Sequence, residues 1–307
     1  MLDSTVMWSA FIILVAFLLV LDLGVLNRGS EQISTRKAII LSAFWISIGL
    51  SFSIFSYVEM GPDKTMEYLA AYVVEEAMSV DNLFVFILIF SYFNIPDNYQ
   101  HKALFYGIIG ALFFRAIFIF AGVGLLTRFH FILYIFGALL LYAAIKTMTK
   151  RPKANKANSV VVWVSKHVRS SDHLDGDRFF TTVNGVRMAT PLLLCVIAIE
   201  FTDIVFALDS IPAVLAISTD TFIVYTSNIF AILGLRSLYF VIRGSLDSLA
   251  YLKYGLGIIL AFVGVKMIVS DFVQIDVLSS LAFIGVVLLV TVVVSIAASR
   301  RQARIAE

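Results

Sequence analysis

The chain has 307 residues, is 60% hydrophobic and only 14% charged, and has a mean hydropathy of +0.95, which excludes an ordinary soluble domain and indicates an all-α polytopic membrane protein. The formal net charge of +2 is uninformative as a sum, since in a membrane protein the distribution of charge carries the signal; no nucleic-acid partner is expected. A single cysteine, Cys195, excludes both an intramolecular disulfide and a cysteine-rich metal site.

The opening MLDSTVMWSAF has no basic stretch and no small-residue cleavage site before its apolar run, so it reads as a retained helix rather than a signal peptide. Apolar runs then predict nine spans: Trp8 to Leu26, Ala38 to Val58, Thr65 to Phe93, His101 to Leu126, Phe129 to Met148, Ala189 to Ile217, Thr221 to Ile242, Tyr254 to Val269 and Val277 to Ala298. With the connection from Thr149 to Met188 in the cytoplasm, 18 of the 23 Lys and Arg residues fall on that side and only Lys64 and Arg128 outside. Arg115, Arg236 and Lys266 lie within the membrane. The positive-inside rule therefore expects the N-terminus outside and the C-terminus in the cytoplasm.

The chain divides into two N-terminal helices (1–60), a first three-helix unit (65–148), a cytoplasmic loop (149–188), a second three-helix unit (189–270) and a last helix with a basic tail (277–307). Within the loop, FFTTVNGVRM alternates around Asn184-Gly185 and predicts a small hairpin with a type I′ turn. The loop's basic residues are orientation determinants, with lipid-headgroup contact as the lesser reading. The two three-helix units resemble one another. Glu75-x5-Asp81-Asn82 matches Asp203-x5-Asp209-Ser210 at an offset of 128, Arg115 matches Arg236 at 121, and Tyr134, Gly137, Leu140 and Lys146 match Tyr254, Gly257, Leu260 and Lys266 at 120. Units of three helices must enter the membrane from opposite sides, and such an inverted repeat is common in secondary transporters, whose sites lie on broken helices where the repeats meet.

The chemistry concentrates in EFTDIVFALDSIP, Glu200 to Pro212, and in its counterpart around Glu75. Six carboxylates, Glu75, Glu76, Asp81, Glu200, Asp203 and Asp209, at roughly 3 kcal/mol each would cost about 18 kcal/mol if isolated in the bilayer, more than a fold can bear. Arg115 and Arg236 can offset two, and the remaining negative charge invites protons or cations. Ser79, Asn82, Ser210 and the carbonyl of Leu208, freed because Pro212 has no N–H, add only hard oxygens of the kind that suits magnesium, calcium and manganese. Residues six apart cannot share a face of an unbroken helix, so either both helices unwind near Asp81 and Asp209 or the acids serve two places; both runs exceed the ~20 residues a bilayer requires, which favours unwinding. Asp22 is read as interfacial, Lys146 and Lys266 as snorkelling, and Asn228 as a helix bridge. The four histidines sit at span ends or in loops, and no histidine or lysine accompanies Ser79 or Ser210 at depth, so the chain is not read as an enzyme.

The segments EEAMSVDNLFVFILIFSYF, ATPLLL, EFTDIVFALDSIPAV and SNIFAILGLRSLYF resemble the signature segments of the TerC/Alx family of bacterial integral membrane proteins, closer to the Alx branch, over about Trp8 to Phe272. The resemblance implies a multi-span inner-membrane protein, a link by name to tellurium resistance and an association with manganese export. It carries over Glu75, Asp81, Glu200, Asp203 and Asp209. The combined expectation is Mn2+ export by alternating access, with proton exchange as a plausible counter-flow and no tightly bound cofactor. Asp81, Asn82, Asp209, Ser210 and the Leu208 carbonyl would be ligands, Glu75, Glu200 and Asp203 would complete the shell, and Arg115 and Arg236 would balance charge. A homo-oligomer is compatible with it. Two other readings stay open: a membrane metallation or assembly partner, and a structural membrane protein whose buried acids are salt-bridged.

Overall fold

A computed structural model describes residues 3–22, 35–129, 131–149, 161–166, 168–183, 185–243, 252–273 and 275–306; of Thr35, Asp81, Asp209, Leu252, Ile296 and residues 299–306 it describes the backbone alone. Among the described residues there are nine long helices: α1 (Ser4–Leu21), α2 (Thr35–Met60), α3 (Pro62–Tyr92), α4 (Asp97–Arg128), α5 (Ile132–Thr149), α6 (Pro191–Leu215), α7 (Thr221–Arg243), α8 (Leu252–Ile268) and α9 (Val277–Ala306). Seven of them are long and apolar enough to cross a membrane, α3 and α8 being the two that are not, and the chain is an all-α polytopic membrane protein. In α3 the obstacle is the acids, in α8 a length of only 17 residues.

Local chemistry sets the helix starts. Gly61, at φ +87°, turns the chain into α3, where Pro62 fills a position whose N–H needs no partner and Asp63 meets the positive end of the helix. Pro191 opens α6 in the same way. Asp220 caps α7, its Oδ1 accepting from the N–H groups of Phe222 (2.9 Å) and Ile223 (3.3 Å), and Asp276 caps α9 through the N–H of Ser279 (3.0 Å). Between α5 and α6, strands β1 (Phe180–Val183) and β2 (Val186–Ala189) pair antiparallel with Val183 opposite Val186, as the alternating sequence predicts. Gly185 has the left-handed φ of +77° that this turn requires; Asn184 lies outside the described residues. Lys102 of α4 fastens the hairpin, donating to the carbonyl oxygen (2.6 Å) and carboxylate (2.9 Å) of Asp177, and its hydrogen bond and positive charge hold that carboxyl below the usual carboxylate range.

The bundle is built around α7, which is 83% buried over its apolar window, against 11% for α1 and 17% for α9. The outward faces of those peripheral helices carry Ile13, Phe17, Val20, Leu278, Val286 and Leu289, all exposed, which is the surface lipid would cover. Inside, α3 packs on α7, α4 on α6 and α5 on α8. Neither α3 nor α6 unwinds. Both run unbroken through positions 81 and 209, contrary to the sequence expectation. The reason is that Pro212 removes one hydrogen bond without stopping the helix, and a helix of 31 residues, about 46 Å, needs no unwinding to be longer than a ~30 Å hydrocarbon core, since tilt or projection accommodates the excess.

Close approach of α5 and α8 depends on glycine. A Cβ at Gly264 would lie 2.9 Å from the carbonyl oxygen of Gly137, and one at Gly257 3.3 Å from that of Ala144. Gly264→Leu is therefore expected to lower stability by about 1–3 kcal/mol, whereas Gly124→Leu, with open space around it, should be neutral. Thermal unfolding of the detergent-solubilised variants checks the contrast.

α1 is held to α7 by charge. Asp22 is only 3% exposed and forms an ion pair with Arg236, itself 2% exposed, so Asp22 is a buried partner rather than an interfacial residue. Stranding either charge should cost about 3–5 kcal/mol. We expect Asp22→Asn and Arg236→Gln each to destabilise the protein and the double variant to lose less than the two added together, measured as a double-mutant cycle.

Candidate functional site

Arg115 of α4 is completely buried, and four helices converge on it. Its Nε and Nη2 form a two-pronged contact with Asp203 of α6 (3.2 and 3.1 Å). Nη1 donates to Glu75 Oε1 of α3 and to Asn228 Oδ1 of α7 (3.1 Å). Asn228 thus bridges helices as its sequence position suggests, and it also holds the arginine. Bidentate pairing with a carboxylate is the strongest hydrogen-bonding arrangement a guanidinium offers, and here it joins residues 88 positions apart.

The network is not closed. Among the described residues, Glu75 Oε2, Ser79 Oγ, Asn82 Nδ2, Ser210 Oγ and Asn228 Nδ2 are buried and make no hydrogen bond. Buried polar atoms are normally satisfied, so a cluster of orphans marks a place for water, a proton or an ion. Ser218, just past α6, donates through Oγ to Glu67 near the start of α3, while Phe86 and Ile199 line one cleft toward the other ends, so the two helices run antiparallel. Counting between them sets Ser210 and position 209 about level with Glu75, and Asn82 and position 81 about level with Asp203. Arg115 lies between these levels, holding Glu75 through Nη1 and Asp203 through Nε and Nη2.

Other predicted residues go elsewhere. Glu200 is half-buried and turned to α4, where any side chain at Gly110 would collide with its carboxylate. Arg236 pairs with Asp22 and, among the described side chains, with no acid of α3 or α6. Leu208 points its side chain outward, half exposed, and its carbonyl lacks the donor that Pro212 cannot supply. The carboxylates of Asp81 and Asp209 lie outside what the structure describes, and among the described residues no group of three His, Cys, Asp or Glu is placed to hold a metal. Lys266 donates to Ser280 of α9 (2.8 Å) rather than reaching for the membrane surface.

Two spaces flank the centre. A cleft of about 10 Å3, room for one water, reaches Asp203 between Phe86, Gly107, Ala111 and Ile232. Beyond the other end of α6 a wider cavity of about 250 Å3 is lined by Lys64, Glu67, Ser218, Lys266 and Ser270. Lys64 pairs with Glu67 there (2.8 Å). At the end where α4 begins, Gln100 accepts from Tyr239 (2.9 Å) and Arg243 (3.0 Å). Sequence reading missed both end clusters, and also the Asp22 partnership. Only the last left a signal, since Asp22 and Arg236 are predicted at similar depth near the same membrane face.

Comparison with known proteins agrees with the signature segments. The profile described as the Integral membrane protein TerC family matches residues 60–303. An uncharacterised membrane protein, STKORF319, of Myxococcus xanthus is 43% identical over 96% of this chain and 93% of its own. A protein of Photorhabdus laumondii named as a putative membrane-bound redox modulator Alx is 41% identical over 95% of both chains. Its namesake in Escherichia coli K12 is 38% identical over 95% of this chain and 94% of its own. No solved structure matches. On a match that spans most of its length and on relatives that align nearly end to end, the chain belongs to the TerC family of integral membrane proteins.

Proposed function

We propose that the protein is a secondary transporter that exports Mn2+, with the ion passing between α3 and α6. The observation that carries this reading is the orphaned set of hard, buried polar groups, Glu75 Oε2, Ser79 Oγ and Ser210 Oγ, beside an arginine already shared by two acids. Asp81, Asn82, Asp209, Ser210 and the Leu208 carbonyl would bind the ion. Glu75, Glu200 and Asp203 would complete the shell or carry protons, and Arg115 would set the charge. The cleft at Asp203 and the cavity at the far end of α6 offer an entrance and an exit on opposite sides of that centre.

The reading includes nine crossings, an inverted repeat of α3–α5 and α6–α8, an external N-terminus and a cytoplasmic C-terminus. Packing supports the repeat. The pairs α3 with α7 and α4 with α6 exchange when the units are exchanged, and α5 with α8 maps onto itself. Even single contacts obey the offset of 120: Gly137 meets Gly264 and Ile268, while Gly257 meets Ala144 and Met148.

A second reading is a TerC-type membrane partner that hands metal to, or assembles with, other proteins and transports nothing. The comparisons favour it over export, because the Alx relatives are named as putative membrane-bound redox modulators rather than as transporters. The engaged Arg115 and Arg236 equally suit a protein whose buried charges are a lock.

Purified protein in liposomes separates these readings. Export predicts Mn2+ movement into vesicles carrying a trapped metal-sensitive dye, preferred over Ca2+, Mg2+ and Zn2+, and reduced at least about tenfold by Asp209→Ala, a loss of about 1.4 kcal/mol or more in the transition state. If Asp209→Ala leaves both Mn2+ transport and cellular manganese tolerance unchanged, export through this centre is wrong. Client proteins that co-purify with a protein unable to move metal establish the second reading.

A further inference from the structure

The guanidinium of Arg115 and a transported cation compete for the same oxygens, and that competition gives the arginine a role beyond balancing charge. Arg115 takes one lone pair on each oxygen of Asp203 and one on Glu75, so an ion using Asp203 with the fork intact would be left the outer lone pairs alone and would meet a positive charge at contact distance. The arginine is also fully buried and tied to no acid other than these two among the described contacts. Its remaining ligand is the neutral Asn228 Oδ1, on the helix opposite, which can keep Nη1 whether or not the carboxylates let go. The space beside Asp203 is water-sized and otherwise apolar, so the carboxylate cannot be left bare for solvent to neutralise.

We propose that Arg115 is the internal stand-in for the transported ion: it occupies Glu75 and Asp203 when the site is empty, and a hard divalent cation displaces it from Asp203. The inference rests on the export reading above. An exporter has to return without its ion, and unless protons take the ion's place two bare carboxylates in the membrane interior would block that step. An arginine that closes over them permits it. The same competition keeps the affinity for the ion low enough for release.

Arg115→Gln and Arg115→Lys in liposomes test this, with two flux measurements each: net Mn2+ movement down a gradient, and exchange of Mn2+ across vesicles loaded equally on both sides. Exchange never requires an empty return. Arg115→Gln should lose net movement at least about tenfold more than it loses exchange and bind Mn2+ about tenfold more tightly, a change of about 1.4 kcal/mol. Arg115→Lys retains the charge without the fork, so it should keep net movement while binding Mn2+ more tightly than wild type. A merely structural arginine gives no such split between the two fluxes. Wild-type protein that moves Mn2+ in neither assay sinks the export reading itself. Wild-type transport together with an Arg115→Gln variant whose net movement stays within twofold overturns this inference alone. Should Arg115→Gln fail to fold, an Arg115→Lys protein that binds Mn2+ no more tightly than wild type overturns it as well.

Discussion

A guanidinium with no access to solvent has to be surrounded by acceptors, and meeting that demand shapes the middle of this protein. Arg115 obtains them from three other helices, Glu75 on α3, Asp203 on α6 and Asn228 on α7. None of the three carboxyl and amide groups could be buried alone at acceptable cost. Together they satisfy one another's hydrogen bonds, with one negative charge left over when both acids are ionised, and tie α3, α4, α6 and α7 together. At an effective dielectric constant of about 20, two unit positive charges 4 Å apart repel by about 4 kcal/mol, so a further cation cannot enter this network without rearranging it.

The rest of the bundle reads as support for that centre. Asp22 removes Arg236 from competition by pairing with it at the edge of α7, which leaves Arg115 as the arginine facing the acids of α3 and α6. That is where the correspondence of the two units breaks: equivalent arginines in sequence serve different acids in space. Polar clusters at both ends, Glu67 with Lys64 and Ser218 at one and Gln100 with Tyr239 and Arg243 at the other, tie the first unit to the second above and below the centre.

Much of this could be read without coordinates because bilayer physics leaves few options. An apolar run of about twenty residues is long enough to cross a bilayer, and the structure has a helix over each of the nine predicted runs, seven of them long and apolar enough to span. Alternation about Asn184-Gly185 announced the hairpin. The acids announced a buried centre because carboxylates are so costly there. Partners were harder to foresee. Which acid Arg236 takes depends on how α1 leans on α7, a packing outcome that no local pattern encodes. Continuity of α6 through Pro212 was likewise invisible, since proline weighs the helix against neighbours whose positions the sequence does not state. Glu200 illustrates the same limit: one turn from Asp203, it turns to Gly110 instead of the arginine.

Determining the structure twice, without metal and with saturating Mn2+, and locating the ion by its anomalous scattering, tests the central claim most directly. The account predicts that without metal the Arg115 guanidinium bridges Glu75 and Asp203, and that with Mn2+ a peak appears between α3 and α6 while the guanidinium has withdrawn from Asp203. An intact fork in both structures, with the ion absent or bound elsewhere, would contradict it.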